Sequence, residues 1–522
     1  KRMSCVALRC FSSSTLKTKK ALFSLTPAEK SLFQFLNEFS RLSSPRTEFR
    51  VAGGWVRNKL LGVDTGNDID FALDTTTGRN FAFNVRRLCA KRNIPLKGFG
   101  IIKANPDKSK HLETSSMVLF GIACDFAQFR SESYGSSRIP TIKPGTPLDD
   151  ALRRDFTINS LFYRVKDGVI EDYTGRGFDD LETKILRTPL DTRQTFSDDP
   201  LRLIRAIRFA ARYDMQVDPA IIQAAHTPEV RRDLMQKVAK ERIGAEVQKM
   251  MRSPSFPCAF ELFGLMGIRD DVFSLSAQHL WSDAEWSSAL TRLRVATQLL
   301  ESLPEAGKPP AENCVGFLFA VLCSSAVDLP TFPNPTPRRL GRESVHPDLT
   351  CVVELLKTHL KLSGATAVFA QKLLQGTRFV VDSFLSQPNG DLPDLSNLPA
   401  KLAELHTITT HWVKYTGQHW QLGVYLAVMV QYCGSLPDKH IALIAQDLVQ
   451  AVSRCGAAKV LTTKPLLNGN EIAAASPLKS SEIGEFLEVL LLWQLRGSQK
   501  TKEGALAFMA EYCSLINVGK DS

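Results

Sequence analysis

Asp68 and Asp70 stand two positions apart in DIDFAL, residues 68–73, where apolar and other residues alternate strictly. A strand with that alternation puts Ile69, Phe71 and Leu73 on one face and both carboxylates, with Ala72, on the other. Like charges so close repel, and one of them holds a proton unless a cation lies between them. Mg²⁺ prefers hard oxygen ligands and usually shares them with substrate phosphates. Two such ions can activate a hydroxyl nucleophile and stabilise a phosphate leaving group. Alone, an Asp-x-Asp pair more often marks a solvated edge strand. The upstream residues sharpen the reading. A short strand (49–52) runs into Gly53 and Gly54, which open a helix (55–61) ended by Gly62. A glycine turn lets the backbone approach a phosphate, and the helix N-terminus adds partial positive charge. Arg57, one turn into that helix, is placed to reach the same phosphates. Asp125, at the end of a later strand, is a candidate third carboxylate.

The elements that must hold these groups in place form an α+β pattern. Thr26 and Pro27 read as the cap and first position of a helix whose apolar face carries Leu32, Phe33, Leu36 and Phe39. After the two strands comes a helix over 81–91, then strands over 97–104 and 117–126. Polar or Gly- and Pro-containing loops fill 105–116 and 131–147. Residues 25–190 thus read as one small mixed-sheet domain. From about residue 191 strand signals vanish and helical patterns run to the C-terminus, broken by Pro-rich linkers at 302–310, 328–337 and 387–399. The apolar run 314–323 is half a membrane span and reads as a buried core helix. The net charge of +11 is compatible with a polyanionic partner. The 11 cysteines include no C-x-x-C pair and no zinc spacing, which argues against a stapled or zinc-built scaffold. The first 24 residues are basic, rich in Ser and Thr, and free of acids. They have the composition of a mitochondrial transit peptide, with a disordered basic leader as the alternative.

GGWVRNKLLG followed by NDIDFAL resembles the signature of the class II tRNA nucleotidyltransferases, the CCA-adding enzymes of the tRNA nucleotidyltransferase/poly(A) polymerase family. The likeness continues in order. RRDFTINSL (153–161) is similar to a family block, as are Asp172-Tyr173 through Gly175 to Leu181. The stretch from Ser197 through Arg202 to Phe209, with Arg205 and Arg208, is similar to the family's nucleotide-selecting helix. Lys240 to Ile243 with Glu246 resembles its last motif. Beyond residue 250 the likeness is loose, around 465–472 and Trp493. One departure stands out: the family usually carries an acid after the arginine of GGxVRD, where this chain has Asn58.

The resemblance implies a polymerase-beta-like nucleotidyltransferase head, followed by an all-helical neck (191–255) and a helical body and tail (256–522) that bind tRNA. It implies CCA addition to the 3′ end of tRNA from CTP and ATP, with two Mg²⁺ ions held by Asp68 and Asp70. Gly53, Gly54 and Arg57 would bind triphosphate, Arg154 and Asp155 would contact ribose, and Asn159 would touch the incoming nucleotide. Asp199 and Arg202, at i and i+3 of a helix capped by Asp199, would select the base, with Arg205, Phe209 and Arg212 along the same ridge. One carboxylate and one guanidinium can pair with the amine and ring nitrogen that cytosine and adenine both offer. Uracil and guanine reverse that pattern and leave buried groups unpaired, at about 1–3 kcal/mol each. Within the same likeness a poly(A) polymerase, or an enzyme adding only CC or only A, remains open. An inactive RNA-binding scaffold is the non-enzymatic alternative. The expected location is the mitochondrion, with a cytoplasmic or nuclear form also open.

Overall fold

The computed structural model describes residues 16–64, 66–102, 114–133, 141–276, 279–303, 308–329, 349–386, 398–495 and 501–518. It divides into two units. The first holds the described residues up to Ala239 with Leu265–Ile268, and the second holds Lys240–Gly264 with the described residues from Arg269 onward. The helices after residue 190 therefore group with the sheet as far as Ala239, and residues 240–255 group with the second unit.

In chain order the first unit runs β1 (Lys17–Lys20), α1 (Pro27–Leu42), β2 (Phe49–Ala52), α2 (Gly54–Leu61), β3 (Asp68–Leu73) and α3 (Gly78–Lys91). Next come β4 (Lys97–Ile102), β5 (Thr114–Leu119), β6 (Ile122–Gln128), β7 (Arg130–Ser133), β8 (Thr141–Pro144) and α4 (Pro147–Leu152). β9 (Leu161–Arg164), β10 (Val169–Asp172), α5 (Gly177–Glu182), β11 (Ile185–Leu186), α6 (Thr192–Asp198) and α7 (Leu201–Tyr213) follow. β12 (Gln216–Val217), α8 (Pro219–Ala225) and α9 (Pro228–Lys237) end the series. Among the described residues eight strands form one sheet in the order β1-β10-β9-β2-β3-β6-β5-β4. Only the β3–β6 pair at its centre is parallel.

One face of β3 carries Ile69, Phe71 and Leu73 into the core, as its alternation requires. Phe71 stacks on Phe126 of β6 at 4.7 Å, and α1 closes over them with Phe33 and Phe39. Thr26 caps α1 in a capping box with Glu29. Glu29 also accepts from the Trp55 indole (2.8 Å) and pairs with Lys59 (2.9 Å), which fixes α2 against α1. Gly62 ends α2 in the left-handed conformation (φ 67°), as its position in the sequence suggests.

Three expectations about this unit change. The run over 117–126 is two strands, β5 and β6, reversed at Phe120 and Gly121, both with positive φ. The loop expected over 131–147 contains the β7–β8 pair, and the last residues of the loop expected over 105–116 belong to β5. The rest of those two loops, 105–113 and 134–140, lies outside the described residues, as do residues 1–15. The third change concerns the leader. β1 pairs antiparallel with β10, from Lys17 opposite Asp172 to Lys20 opposite Val169. Lys17 bonds Asp179 at 2.7 Å, and Phe23 packs on Trp55 and Tyr163 at 5.5 and 5.8 Å. Residues 17–24 are thus part of the sheet domain. Deleting the chain through Ser24 should cost about 2 kcal/mol from lost apolar contact and an unpaired edge, lowering the first unit's Tm by roughly 4–8 °C. An unchanged melting curve would mean that β1 contributes nothing to the domain.

The second unit is helical among the described residues, apart from a bridge between Cys433 and Leu436. Helix Ala311–Cys323 is buried from Val315 to its end, as expected for a core helix. No helix among the described residues is long and apolar enough to cross a membrane. Gly469–Ala475, Ser480–Leu495 and Lys502–Val518 build a separate small core around Leu467, Ile472, Phe486, Leu490, Met509 and Tyr512. Most of the three Pro-rich linkers lies outside the described residues.

Candidate active site

The second face of β3 carries Asp68, Asp70 and Ala72, so the two carboxylates project from one side of the sheet; both residues keep solvent access, but surrounding protein partly desolvates their carboxyl groups, Asp70 more than Asp68. Register opposes Asp70 to Asp125 on β6 and Asp125 to Ser116 on β5, which brings Asp125 to the same face. The Ser116 hydroxyl bonds Asp125 Oδ1. Burial raises the pKa of Asp68, and the charge of Asp125 adds to it. Asp70 is raised by burial and then by Asp68, with Arg154 pulling the other way. A pair of hard oxygens that resists full ionisation is suited to a divalent cation. Among the described residues no group of three His, Cys, Asp or Glu side chains is close enough to hold a metal ion. Asp68 and Asp70 therefore stand as a pair, with Asp125 beside them. Such a pair leaves coordination positions for water and phosphate, which is the usual habit of Mg²⁺.

Between β2 and α2, Gly53 takes φ 72° and ψ −121°, which glycine alone adopts readily. A Cβ there would lie 2.9 Å from Arg154 Nη1, so the turn and Arg154 are fitted to each other. Arg154 lies over the Phe162 ring at 5.1 Å and donates to the Asn159 carbonyl at 3.3 Å. Its Nη2 donates to Asp150 at 2.8 Å. Asp150 is only 2% exposed and grips Arg153 with its other oxygen, Nε to Oδ1 at 2.8 Å. Burial alone would raise this acid, but Arg154 and Arg153 hold it below the ordinary carboxylate range.

Arg57 sits differently from its expected role. It is buried, its Nε and Nη2 donate to Asn58 Oδ1 (3.1 and 2.8 Å), and its Nη1 donates to Asn159 Oδ1. Nη2 also donates to the Tyr213 hydroxyl at 2.7 Å, and the guanidinium lies 5.0 and 4.5 Å from the Phe209 and Tyr213 rings. Most of its donors are spent on protein oxygens. Burial lowers its pKa, against the pull of Tyr213 and Asp155. Asn159 in turn donates to Asp155 Oδ1 (2.9 Å), and Asp155 Oδ2 accepts from Arg205 Nε and Nη2 (2.9 and 2.7 Å). A chain of contacts thus runs Arg57–Asn159–Asp155–Arg205 and returns to α2 through Tyr213. Arg205, Phe209 and Tyr213 form one ridge of α7, while Leu203, Ile207 and Ala210 fill the core as expected. Arg212, expected on the ridge, is exposed.

At the start of α7, Arg202 is held by two backbone carbonyls, those of Thr195 (3.3 Å) and Arg153 (2.6 Å). Asp199 Oδ1 accepts from the Leu201 N–H at 3.2 Å. Asp199 is nevertheless not the expected N-cap: it closes α6, Pro200 takes the cap position without a side-chain cap bond, and α7 begins at Leu201, one residue later than expected. Arg208 is buried with its guanidinium 4.1 Å from the Phe209 ring.

Residues 49–187 match the family model described as the poly A polymerase head domain. The tRNA nucleotidyltransferase cca2 of Schizosaccharomyces pombe is 46% identical over 226 residues, which cover 42% of this chain and 46% of its own length. The mitochondrial CCA tRNA nucleotidyltransferase of Saccharomyces cerevisiae is 31% identical over 405 residues, covering 71% of this chain and 73% of its own length. The chain belongs to the tRNA nucleotidyltransferase family. A solved apo CCA-adding enzyme shares the fold across both units, with a TM-score of 0.60 at 18% identity, covering 94% of this chain and 96% of that one.

In this tRNA nucleotidyltransferase, sequence reasoning missed two residues that organise the site. Asp150 lies three and four residues before Arg153 and Arg154, a helical spacing that was available to find it. Tyr213 lies eight residues after Arg205 on the same ridge, but its partners Arg57 and Asn58 are more than 150 positions away, and no local signal connects them.

Proposed function

We propose that this chain adds C, C and A to the 3′ end of tRNA, using CTP and ATP and releasing pyrophosphate. The observation that carries the reading is the meeting of three parts in one unit: the Gly53 turn, the Asp68–Asp70 pair and the α7 ridge, joined through Arg154, Asn159 and Asp155. Asp68 and Asp70 would hold Mg²⁺, two ions in the full reaction, and the bound metal would supply Lewis acidity for the nucleotidyl transfer. The N-terminus of α2 receives the polyphosphate, and Arg154 faces it from the other side of Gly53. Arg57 acts from beneath, as a buried charge that holds Asn159, rather than by reaching outward. Asp199 and Arg202 read the base edge; carbonyl contacts fix Arg202 in position, so that it selects without reorganising. The acceptor arm of tRNA is the RNA partner, and its phosphates suit the basic chain. The mitochondrial relative in yeast and the basic N-terminal composition support a mitochondrial location.

The test is to incubate the protein with tRNA ending at the discriminator base, with CTP, with ATP and with both, and to sequence the products. The expected product is CC from CTP alone and CCA from the mixture. A run of A from ATP alone would favour a poly(A) polymerase, and no extension would favour a scaffold. Arg202→Ala should lose discrimination against UTP by about 10–100-fold, the effect of one or two unpaired buried groups.

A further inference from the structure

Asn58 follows Arg57 in α2 and is only 8% exposed. Its Oδ1 accepts from Arg57 Nε (3.1 Å), Arg57 Nη2 (2.8 Å) and the Tyr213 hydroxyl (3.0 Å). Its Nδ2 donates to the Asp64 carbonyl at 2.9 Å, and its own carbonyl accepts from the Val63 N–H at 3.0 Å. The orientation of the amide follows from its partners: donors surround one atom and a carbonyl faces the other. These bonds join three parts of the site. Arg57 belongs to the phosphate turn helix, Tyr213 ends the α7 ridge, and Asp64 lies in the connection from α2 to β3, four positions before Asp68.

A carboxylate could copy the first two contacts but not the third. It has no hydrogen to donate to the Asp64 carbonyl and would set two acceptor oxygens against each other. We propose that Asn58 is a positioning residue that anchors Asp64, and with it the approach to the Asp68–Asp70 pair, to the phosphate turn and to α7, so that this position requires an amide. The inference rests on the reading of Asp68 and Asp70 given above, and it extends that reading to what holds them in place.

The experiment compares the full chain with Asn58→Asp and Tyr213→Phe by hydrogen exchange and by steady-state CTP incorporation. Asn58→Asp should speed exchange at 63–67 about tenfold and lower kcat about tenfold, with KM for CTP changed less than twofold. Tyr213→Phe keeps the Asp64 contact. It should leave exchange in the loop at the parent value and raise KM for CTP and ATP by the same factor. If Asn58→Asp is too unstable to purify, Asn58→Ala removes the same donor and should speed exchange at the same residues about tenfold, while the loss of its contacts to Arg57 and Tyr213 also raises KM. Parent-like exchange and kcat in Asn58→Asp overturn the proposal, and so does equal loosening of the loop by both variants. A parent protein that incorporates no nucleotide refutes the enzymatic reading instead, while the exchange comparison still tests the anchor.

Discussion

Replacing Asp70 with asparagine should lower nucleotide incorporation by roughly three orders of magnitude while making the metal-free protein slightly harder to melt. The loss follows from removing one of the two anionic carboxylates that hold cations supplying several kcal/mol of charge stabilisation in the transition state. The gain has a separate cause. Burial and the charge of Asp68 push the Asp70 carboxyl above its ordinary pKa, so the folded protein pays to ionise it. For a group raised on folding, the relative benefit of the protonated form is complete below the unfolded pKa, about 4, and is lost as pH rises through the folded value. Asp70→Asn removes that penalty. Its advantage should be absent at low pH and should reach about 1–3 °C near neutrality, the shift that less than 1 kcal/mol gives a unit of this size. Mg²⁺ should stabilise the parent more than the variant. Thermal melts across pH, with and without Mg²⁺, check all of this. Undiminished incorporation by Asp70→Asn would remove the basis for the metal site.

The second large effect concerns Asp150, which touches no expected substrate. Asp150→Ala should cost about 3 kcal/mol, because it removes the buried carboxylate shared by two guanidinium groups that are each about four-fifths covered. The first unit's Tm should fall by roughly 6–12 °C. Arg154 would also lose the contact that holds it against Gly53, so KM for both nucleotides should rise together. The pH sign is opposite to that of Asp70. The folded pKa of Asp150 is depressed, so its contribution is present above the unfolded value and disappears as pH falls through the folded one. The gap between parent and variant should therefore close in acid. A variant that melts with the parent at pH 7 would show that Arg153 and Arg154 find other partners.

Local pattern and chain punctuation made part of this site readable. The alternation of 68–73 placed both acids on one face, Gly62 marked the end of α2, and Thr26 with Pro27 marked the start of α1. The misreadings arose where those signals were weak or absent. β5 and β6 merged because their turn is Phe120-Gly121, and phenylalanine gives no warning of positive φ. β1 was assigned to the leader because a lysine-rich segment has low strand propensity, and only its partner β10 makes it a strand. Arg57 looked like a hand for phosphates because its sequence position says nothing of Asn159 or Tyr213, which occupy it in the fold.

One of the two edge strands of the sheet is KTKK, and three of its four side chains are cationic. An exposed row of backbone donors and acceptors ordinarily invites a stranger's strand to extend the sheet. Here a second copy approaching that border would have to set lysine beside lysine without the solvent that keeps them apart. The same short segment that completes the sheet therefore also discourages its continuation into the next molecule.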